Sequence, residues 1–169
     1  MKIGVLSDTH IPMRGKRIPD IVLEAFKDAD HIIHAGDLTD LSVLRCLSDI
    51  SRVTAVSGNS DPPEIKKLLG DDAIIELGGK KFGIFHGHGL FGSTLDRAVE
   101  RFNNKELDCI IFGHSHNPYC DYHGKTLLFN PGSANDKRMN LYYSFGIIEI
   151  TDTLKPRIVF FDRNGIVLA

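Results

Sequence analysis

Cysteine is scarce. The 169 residues hold three, Cys46, Cys109 and Cys120, with no CxxC pair. An odd, unpatterned set argues against a disulfide framework and against a thiolate metal site, and predicts reduced thiols in a cytoplasmic protein. Cys109 lies inside an apolar run and reads as core. Long apolar runs are also missing. None approaches the roughly 18 residues a membrane helix needs, so no membrane role is expected. The opening residues lack the charged-then-apolar layout and small-residue cleavage site of a secretion signal. No charge sign dominates: 20 Lys and Arg against 22 Asp and Glu leave a net charge of −2. Sequence-independent nucleic-acid binding is therefore not expected. The short basic cluster Arg14, Lys16, Arg17 reads as a solvated loop. Linkers, repeats and low-complexity segments are absent too. With 42% hydrophobic and 25% charged residues, the chain reads as one domain over residues 1–169 with a substantial core.

What is present alternates in period. Residues 2–7 predict a buried strand. Arg17 to Asp28 predicts a helix, with Ile18, Ile21, Val22, Ala25 and Phe26 on one face and Pro19 in the first turn. Strands follow at 31–35 and 52–57, with a short helix after Asp40 between them and helical turns from Glu64 to Leu69. Hairpins dominate the second half. Ala73–Leu77 and Lys80–His86 flank Gly78-Gly79, and Pro118–Tyr122 and Lys125–Asn130 flank His123-Gly124. Between them, Ser93 or Thr94 caps a helix carrying Leu95, Ala98, Val99 and Phe102, and Asp108–Phe112 forms a buried strand. Tyr142–Thr151 and Arg157–Asp162 complete an antiparallel set. The predicted class is an α/β sandwich: a mixed sheet, a second largely antiparallel sheet, and helices outside.

The functional signal lies at the strand ends. The first strand runs into Asp8-Thr9-His10, and period two puts Asp8 and His10 on one face. The second ends in Asp37 and the third in Asn59. Later strands end in His86 and in His114-Ser115-His116. Singly, each is an ordinary turn or surface residue. Together, two carboxylates, one amide and four imidazoles exceed what one ion takes, and suit two ions sharing a carboxylate. The oxygen-plus-imidazole set favours Mn2+, with Ni2+, Zn2+, Fe2+ or Co2+ as alternatives. Glycines beside Asp37, Asn59, His86 and His114 permit close backbone approach. His31 lacks this context, and His123 sits in a turn. His88 reads either as a wall of the site or as a support orienting His86.

In order, Asp8-Thr9-His10, Gly36-Asp37-Leu38-Thr39-Asp40, Gly58-Asn59-Ser60-Asp61, His86-Gly87-His88 and Gly113-His114-Ser115-His116 resemble the signature of calcineurin-like metallophosphoesterases. The resemblance runs from Lys2 to about Ser133. Asn130-Pro131-Gly132-Ser133 is similar to a segment of the small single-domain bacterial and archaeal phosphodiesterases. The resemblance implies that Asp8, His10 and His116 hold one ion, that Asn59, His86 and His114 hold the other, and that Asp37 bridges them. It implies a phosphodiesterase acting on a small phosphate ester, with a hydroxide between the ions as nucleophile. Asn59 then adds an amide donor to a phosphate oxygen. Many family members carry His where Ser60 stands, and it protonates the leaving group there. Its absence predicts a preference for esters that depart without a proton, unless a water or His88 supplies one. Arg138 is a candidate phosphate contact. The alternatives on the same site are a phosphomonoesterase or a nuclease. The alternative of another class is a protein-interaction scaffold resembling the retromer subunit, without turnover. Self-association through an edge strand is expected to be open to the fold.

Overall fold

A computed structural model describes residues 1–168. Strands β1 (Lys2–Leu6), β2 (His31–Ala35) and β3 (Arg52–Val56) alternate with helices α1 (Asp20–Phe26), α2 (Ser42–Ser48) and α3 (Pro63–Leu69). The hairpin β4 (Asp72–Leu77) and β5 (Lys80–Phe85) follows, then α4 (Thr94–Arg101) and β6 (Cys109–Ile111). A second hairpin, β7 (Tyr119–His123) and β8 (Thr126–Asn130), precedes β9 (Tyr143–Ile150), β10 (Leu154–Phe161) and β11 (Val167–Leu168). They form two sheets, ordered β11-β10-β9-β1-β2-β3 and β4-β5-β6-β8-β7. No helix among the described residues is long and apolar enough to cross a membrane.

Strand periodicity builds the layers. Ile3, Val5, Ile33, Ala35 and Val56 face Phe82, Ile84, Cys109, Ile111, Leu127 and Phe129 of the other sheet. Alternate residues, Leu6 and Ile32 among them, turn outward to pack with Val22 and Phe26 of α1 and Val43 and Leu47 of α2. Gly4 sits under the Phe26 ring, 2.8 Å from where a Cβ would stand. On the far side, Ala98 of α4 packs with Phe102, Ile110, Phe112 and Leu128. Of the two caps the sequence allows for α4, Ser93 is the one used, and it closes a capping box with Asp96.

The two-sheet sandwich is as expected, and three details differ. The second sheet is mixed rather than largely antiparallel. β5, β6 and β8 run parallel because α4 carries the chain across between β5 and β6, and the β7 hairpin folds back outside β8. Helix α1 starts at Asp20, not Arg17, because Pro19 holds an extended ψ of 140° and serves as the cap. β10 starts at Leu154, three residues earlier than predicted. Its Pro156 is tolerated because β11 pairs only with Phe160 and Phe161, leaving that stretch an edge.

One consequence of this topology governs function. β1, β2 and β3 are mutually parallel in one sheet, and β5, β6 and β8 in the other. The loops that follow these strands carry Asp8 and His10, Asp37, Asn59, His86 and His88, His114 and His116, and Pro131 to Ser133. The carboxyl ends of parallel strands are where open α/β sheets form their crevices.

Candidate metal centre

Five side chains converge there. Asp8, His10 and His116 bring ligand atoms within 4.8 Å of one another, and so do Asp8, Asp37 and His86. All five residues are buried. Each carboxylate has one oxygen tied to protein and one turned to the imidazoles. Oδ2 of Asp8 accepts the Ser7 hydroxyl at 2.7 Å and the His114 N–H at 2.9 Å. Its Oδ1 has no hydrogen-bond partner, and lies 3.3 Å from His116 Nε2, 3.7 Å from His10 Nε2 and 3.8 Å from His86 Nε2. Oδ1 of Asp37 accepts the Ser60 N–H at 2.7 Å. Its Oδ2 lies 3.2 Å from His86 Nε2 and 3.5 Å from His10 Nε2, and accepts the Ser60 hydroxyl at 2.8 Å.

The imidazoles are aimed by their far nitrogens. Nδ1 of His86 donates to the Ala35 carbonyl at 2.7 Å, and Nδ1 of His116 donates to the Asp136 carbonyl. Each Nε2 is thereby turned inward. His86 Nε2 is buried without a hydrogen-bond partner, and Nε2 of His10 and of His116 lie only 3.3 Å apart. A buried carboxylate oxygen without a hydrogen-bond partner, ringed by imidazole nitrogens, is costly unless a proton or a cation lies among them. The donor set, carboxylate oxygen and imidazole without sulfur, fits a first-row divalent ion. Without an ion, the cluster holds charge. Burial would lower the proton affinity of His86, but the Asp8 charge, the Asp37 contact and the Ala35 carbonyl raise its pKa to about 9. Burial would raise Asp37, yet the contact and charge of His86 hold it down at about 2. Asp8 is likewise held well below the usual carboxylate range: His86, His10 and His116 outweigh its burial.

The backbone is bent to serve this convergence. Asp8, His10, Asp37, His114 and His116 all adopt left-handed φ, between 46° and 64°. Such conformations cost about 1–3 kcal/mol each and gather at functional sites. The neighbouring glycines are steric necessities. A Cβ on Gly36, at φ +92°, would come within 2.7 Å of His86 Nδ1, and one on Gly113 within 2.7 Å of Asp8 Oδ2.

The remaining predicted residues stand around the cluster. His114 is half-buried with its ring edge-on to His86, centroids 5.2 Å apart, outside both tight groups. Burial lowers its pKa to about 4. Asn59 is on the exposed rim, its amide donating to the Ser60 hydroxyl at 3.4 Å. His88 is half-buried, 5.7 Å from the His86 ring and 5.5 Å from the Phe85 ring between centroids. Asp40 is exposed, its carboxylate accepting the Ser42 N–H at the start of α2. Arg138 lines a cavity with His10, Met13, Arg14, Ser60, Asp136 and Met139. His31 is bound to Thr54 at 2.8 Å, away from the cluster.

Three supporting residues carry no ligand signal in the sequence. Buried Asp61 accepts the backbone N–H groups of Asp37 (3.0 Å), Thr39 (2.7 Å) and Gly58 (2.7 Å), so it ties the second ligand loop to the third. The Ser133 hydroxyl donates to the Asp8 carbonyl at 2.7 Å and accepts the Asp136 N–H at 2.8 Å. His34, fully buried and held neutral with its pKa near 3 by burial, shares a hydrogen bond with Thr9 between two ligands. The GNxD spacing was the available cue for Asp61, and Asn130-Pro131-Gly132-Ser133 the cue for Ser133.

Known proteins share this chain's sequence pattern and fold. Residues 1–153 match the family model of the calcineurin-like phosphoesterase superfamily domain. A probable metallophosphoesterase of Methanocaldococcus jannaschii is 36% identical over 161 residues, covering 94% of this chain and 81% of the relative. A phosphodiesterase of the same organism is 30% identical over 150 residues, covering 79% and 84%. Among solved structures, an archaeal phosphodiesterase is 26% identical and superposes with a TM-score of 0.76 over 95% of this chain and 100% of its own. Vps29 of Chaetomium thermophilum, at 23% identity, shares the fold with a TM-score of 0.84 over 99% and 94%. The ligand-bearing loops thus sit within a stretch whose sequence and fold both recur in metallophosphoesterases, and the chain belongs to the calcineurin-like phosphoesterase superfamily.

Proposed function

We propose that this metallophosphoesterase is a phosphodiesterase with a two-ion centre. Asp8, His10 and His116 would hold one ion, Asn59, His86 and His114 the other, and Asp37 would bridge them. When bound, the ions supply an activated water as nucleophile and positive charge for the phosphoryl oxygens. Mn2+ is the ion the donor set favours. The observation that carries the reading is the buried Asp8 Oδ1, which has no hydrogen-bond partner and faces Nε2 of His116, His10 and His86 at 3.3, 3.7 and 3.8 Å.

The chain's own groups then divide the work. Asp61, Ser133 and the Ala35 carbonyl fix the ligands before substrate arrives, so little reorganisation is needed on binding. Asn59, on the rim, would donate its amide N–H to a phosphate oxygen. Arg138, exposed beside His10 and Ser60, offers a guanidinium to a second oxygen. Ser60 already donates its hydroxyl to Asp37, and a hydroxyl is a poor proton donor to a leaving alkoxide. Aryl esters, which leave unaided, are therefore the preferred substrates. His88, in the wall of the same cleft, is the remaining group within reach of a departing oxygen.

The test is hydrolysis of an aryl phosphodiester and the matching monoester by chelator-stripped protein, before and after Mn2+ is restored. Metal-restored turnover favouring the diester is expected. Turnover favouring the monoester would make the protein a phosphomonoesterase. Bound metal without turnover of either ester would instead support the scaffold alternative.

A further inference from the structure

Two cavities flank the ligand cluster, and their chemistry differs. One, of about 630 Å³, is the Arg14 and Arg138 cavity beside His10 and Ser60. The other, of about 680 Å³, lies behind His88 and is lined by Phe85, Phe91, Arg97 and Arg101, with Gly92, Asp96 and Glu100 at its margin. His88 is a wall of this second cavity, and its ring also packs against that of His86. The His88 ring therefore stands between this cavity and His86.

We propose that the cavity behind His88, with Phe91 at its lip, receives one ester substituent of the substrate, and that this substituent is a neutral aromatic ring. The inference rests on the phosphodiesterase reading and adds the class of group the enzyme selects. Three observations carry it. Phe91 is 86% exposed and contributes nothing to the core, yet its loop is pinned. Arg97 donates Nε to the Gly87 carbonyl at 2.7 Å, Nη1 to the Gly92 carbonyl at 2.6 Å and the Phe91 carbonyl at 3.3 Å, and Nη2 to the Thr94 hydroxyl at 3.2 Å. An exposed aromatic ring on an anchored loop is a stacking platform at low entropic cost. The lining is aromatic deeper in as well: the buried Phe85 packs on His88, with Arg101 Cζ 5.2 Å from the centroid of its ring. Finally, both guanidiniums are already engaged, and the remaining lining charge, Glu100, is a carboxylate that disfavours an anion. Arg97 is used by the loop, Arg101 pairs with Asp72, and Asp96 caps α4 with Ser93. No free guanidinium remains for a second phosphate, whereas Arg138 provides one on the other side. A planar neutral ring matches this lining.

The chain contains no Trp, so Phe91→Trp creates a single indole reporter. The Mn2+-loaded variant is titrated with p-nitrobenzylphosphonate, which cannot be hydrolysed, and with methylphosphonate. Quenching by the first and none by the second is expected, since a nitroaromatic stacked on indole quenches it. In parallel, inhibition constants are measured against aryl diester hydrolysis. Phe91→Ala should weaken p-nitrobenzylphosphonate about tenfold, the scale of one lost aromatic stack, and leave methylphosphonate unchanged. Leu90→Ala, on an equally exposed neighbour outside the cavity, should move neither. Absence of quenching, or equal weakening of both phosphonates, would overturn the subsite. If no diester is hydrolysed at all, the phosphodiesterase reading fails, and the quenching result still decides whether the aromatic subsite exists.

Discussion

His86 gives the sharpest quantitative handle on the centre. In the metal-free protein its pKa is lifted from 6.5 to about 9, chiefly because the Asp8 and Asp37 carboxylates outweigh its burial. That rise corresponds to about 3 kcal/mol of interaction between the imidazolium and its surroundings. The sign follows from the raised value. This stabilisation is fully present below pH 6.5 and is lost as pH climbs through about 9. A metal ion needs the neutral ring, so it must displace that proton. At pH 7 the displacement costs about two pH units, or roughly 100-fold in affinity. Affinity should therefore rise about tenfold per unit from pH 7 toward 9 and then level off. His114, with a pKa near 4, and His34, near 3, are neutral throughout this window and add nothing to the slope. The assay is calorimetric titration of stripped protein with Mn2+ at pH 7, 8 and 9, in buffers of different ionisation heat. About one proton from His86 should be released at pH 7, and the amount should fall as pH approaches 9.5. His86→Asn should lose that proton release. Equal affinities at pH 7 and 8.5, with no proton released, would refute the reasoning.

Three further outcomes are expected. Asp37→Asn should lower the bound metal at both positions together, by elemental analysis of the reloaded protein, and loss of a single equivalent would disprove bridging. Ser60→His should raise kcat/KM on alkyl diesters more than on aryl diesters, because the exposed site beside Asp37 then holds a proton donor; equal gains would remove the leaving-group argument. Asp61→Ala strands the N–H groups of Asp37, Thr39 and Gly58. It should cost about 3 kcal/mol or more by urea unfolding, and a change below about 1 kcal/mol would show that water replaces the carboxylate without penalty.

Much of this centre is legible in the chain because strands end abruptly. An apolar run that stops at Asp8, Asp37 or His86 declares both the strand and the residue at its tip. Parallel pairing then sends those tips to one edge, and the βα alternation of the first half foretells that pairing. The second sheet was less legible. Gly78-Gly79 and His123-Gly124 announce hairpins, but nothing local says that β6 inserts between β5 and β8, a choice made by inter-sheet packing of Cys109 and Ile111. β11 is two residues long and carries no periodicity. Supports were the least visible. Asp61 looks like a turn residue because its three partners lie on two loops that meet only in the fold. The left-handed φ of five candidate ligand residues is likewise imposed by convergence, since none of them is a glycine that would advertise it.

Strand β1 precedes β2 to β8 in the chain, yet it is completed only after them. β1 lies between β2 and β9, and Lys2 to Val5 pair with Glu149 to Gly146. Even Met1 exchanges backbone hydrogen bonds with Ile150. On a ribosome, residues 2–6 therefore emerge as an apolar edge that finds β2 early but must wait for nearly 150 residues before its other side is covered. Until then a nascent chain carries an unpaired strand open to wrong partners. Asp8 waits with it, since Ser133 secures its carbonyl only after the second hairpin has been made. Completion of the candidate metal centre is thus tied to the later residues of the chain, and a chain released before residue 143 would expose β1 and be a natural target for chaperones or proteolysis.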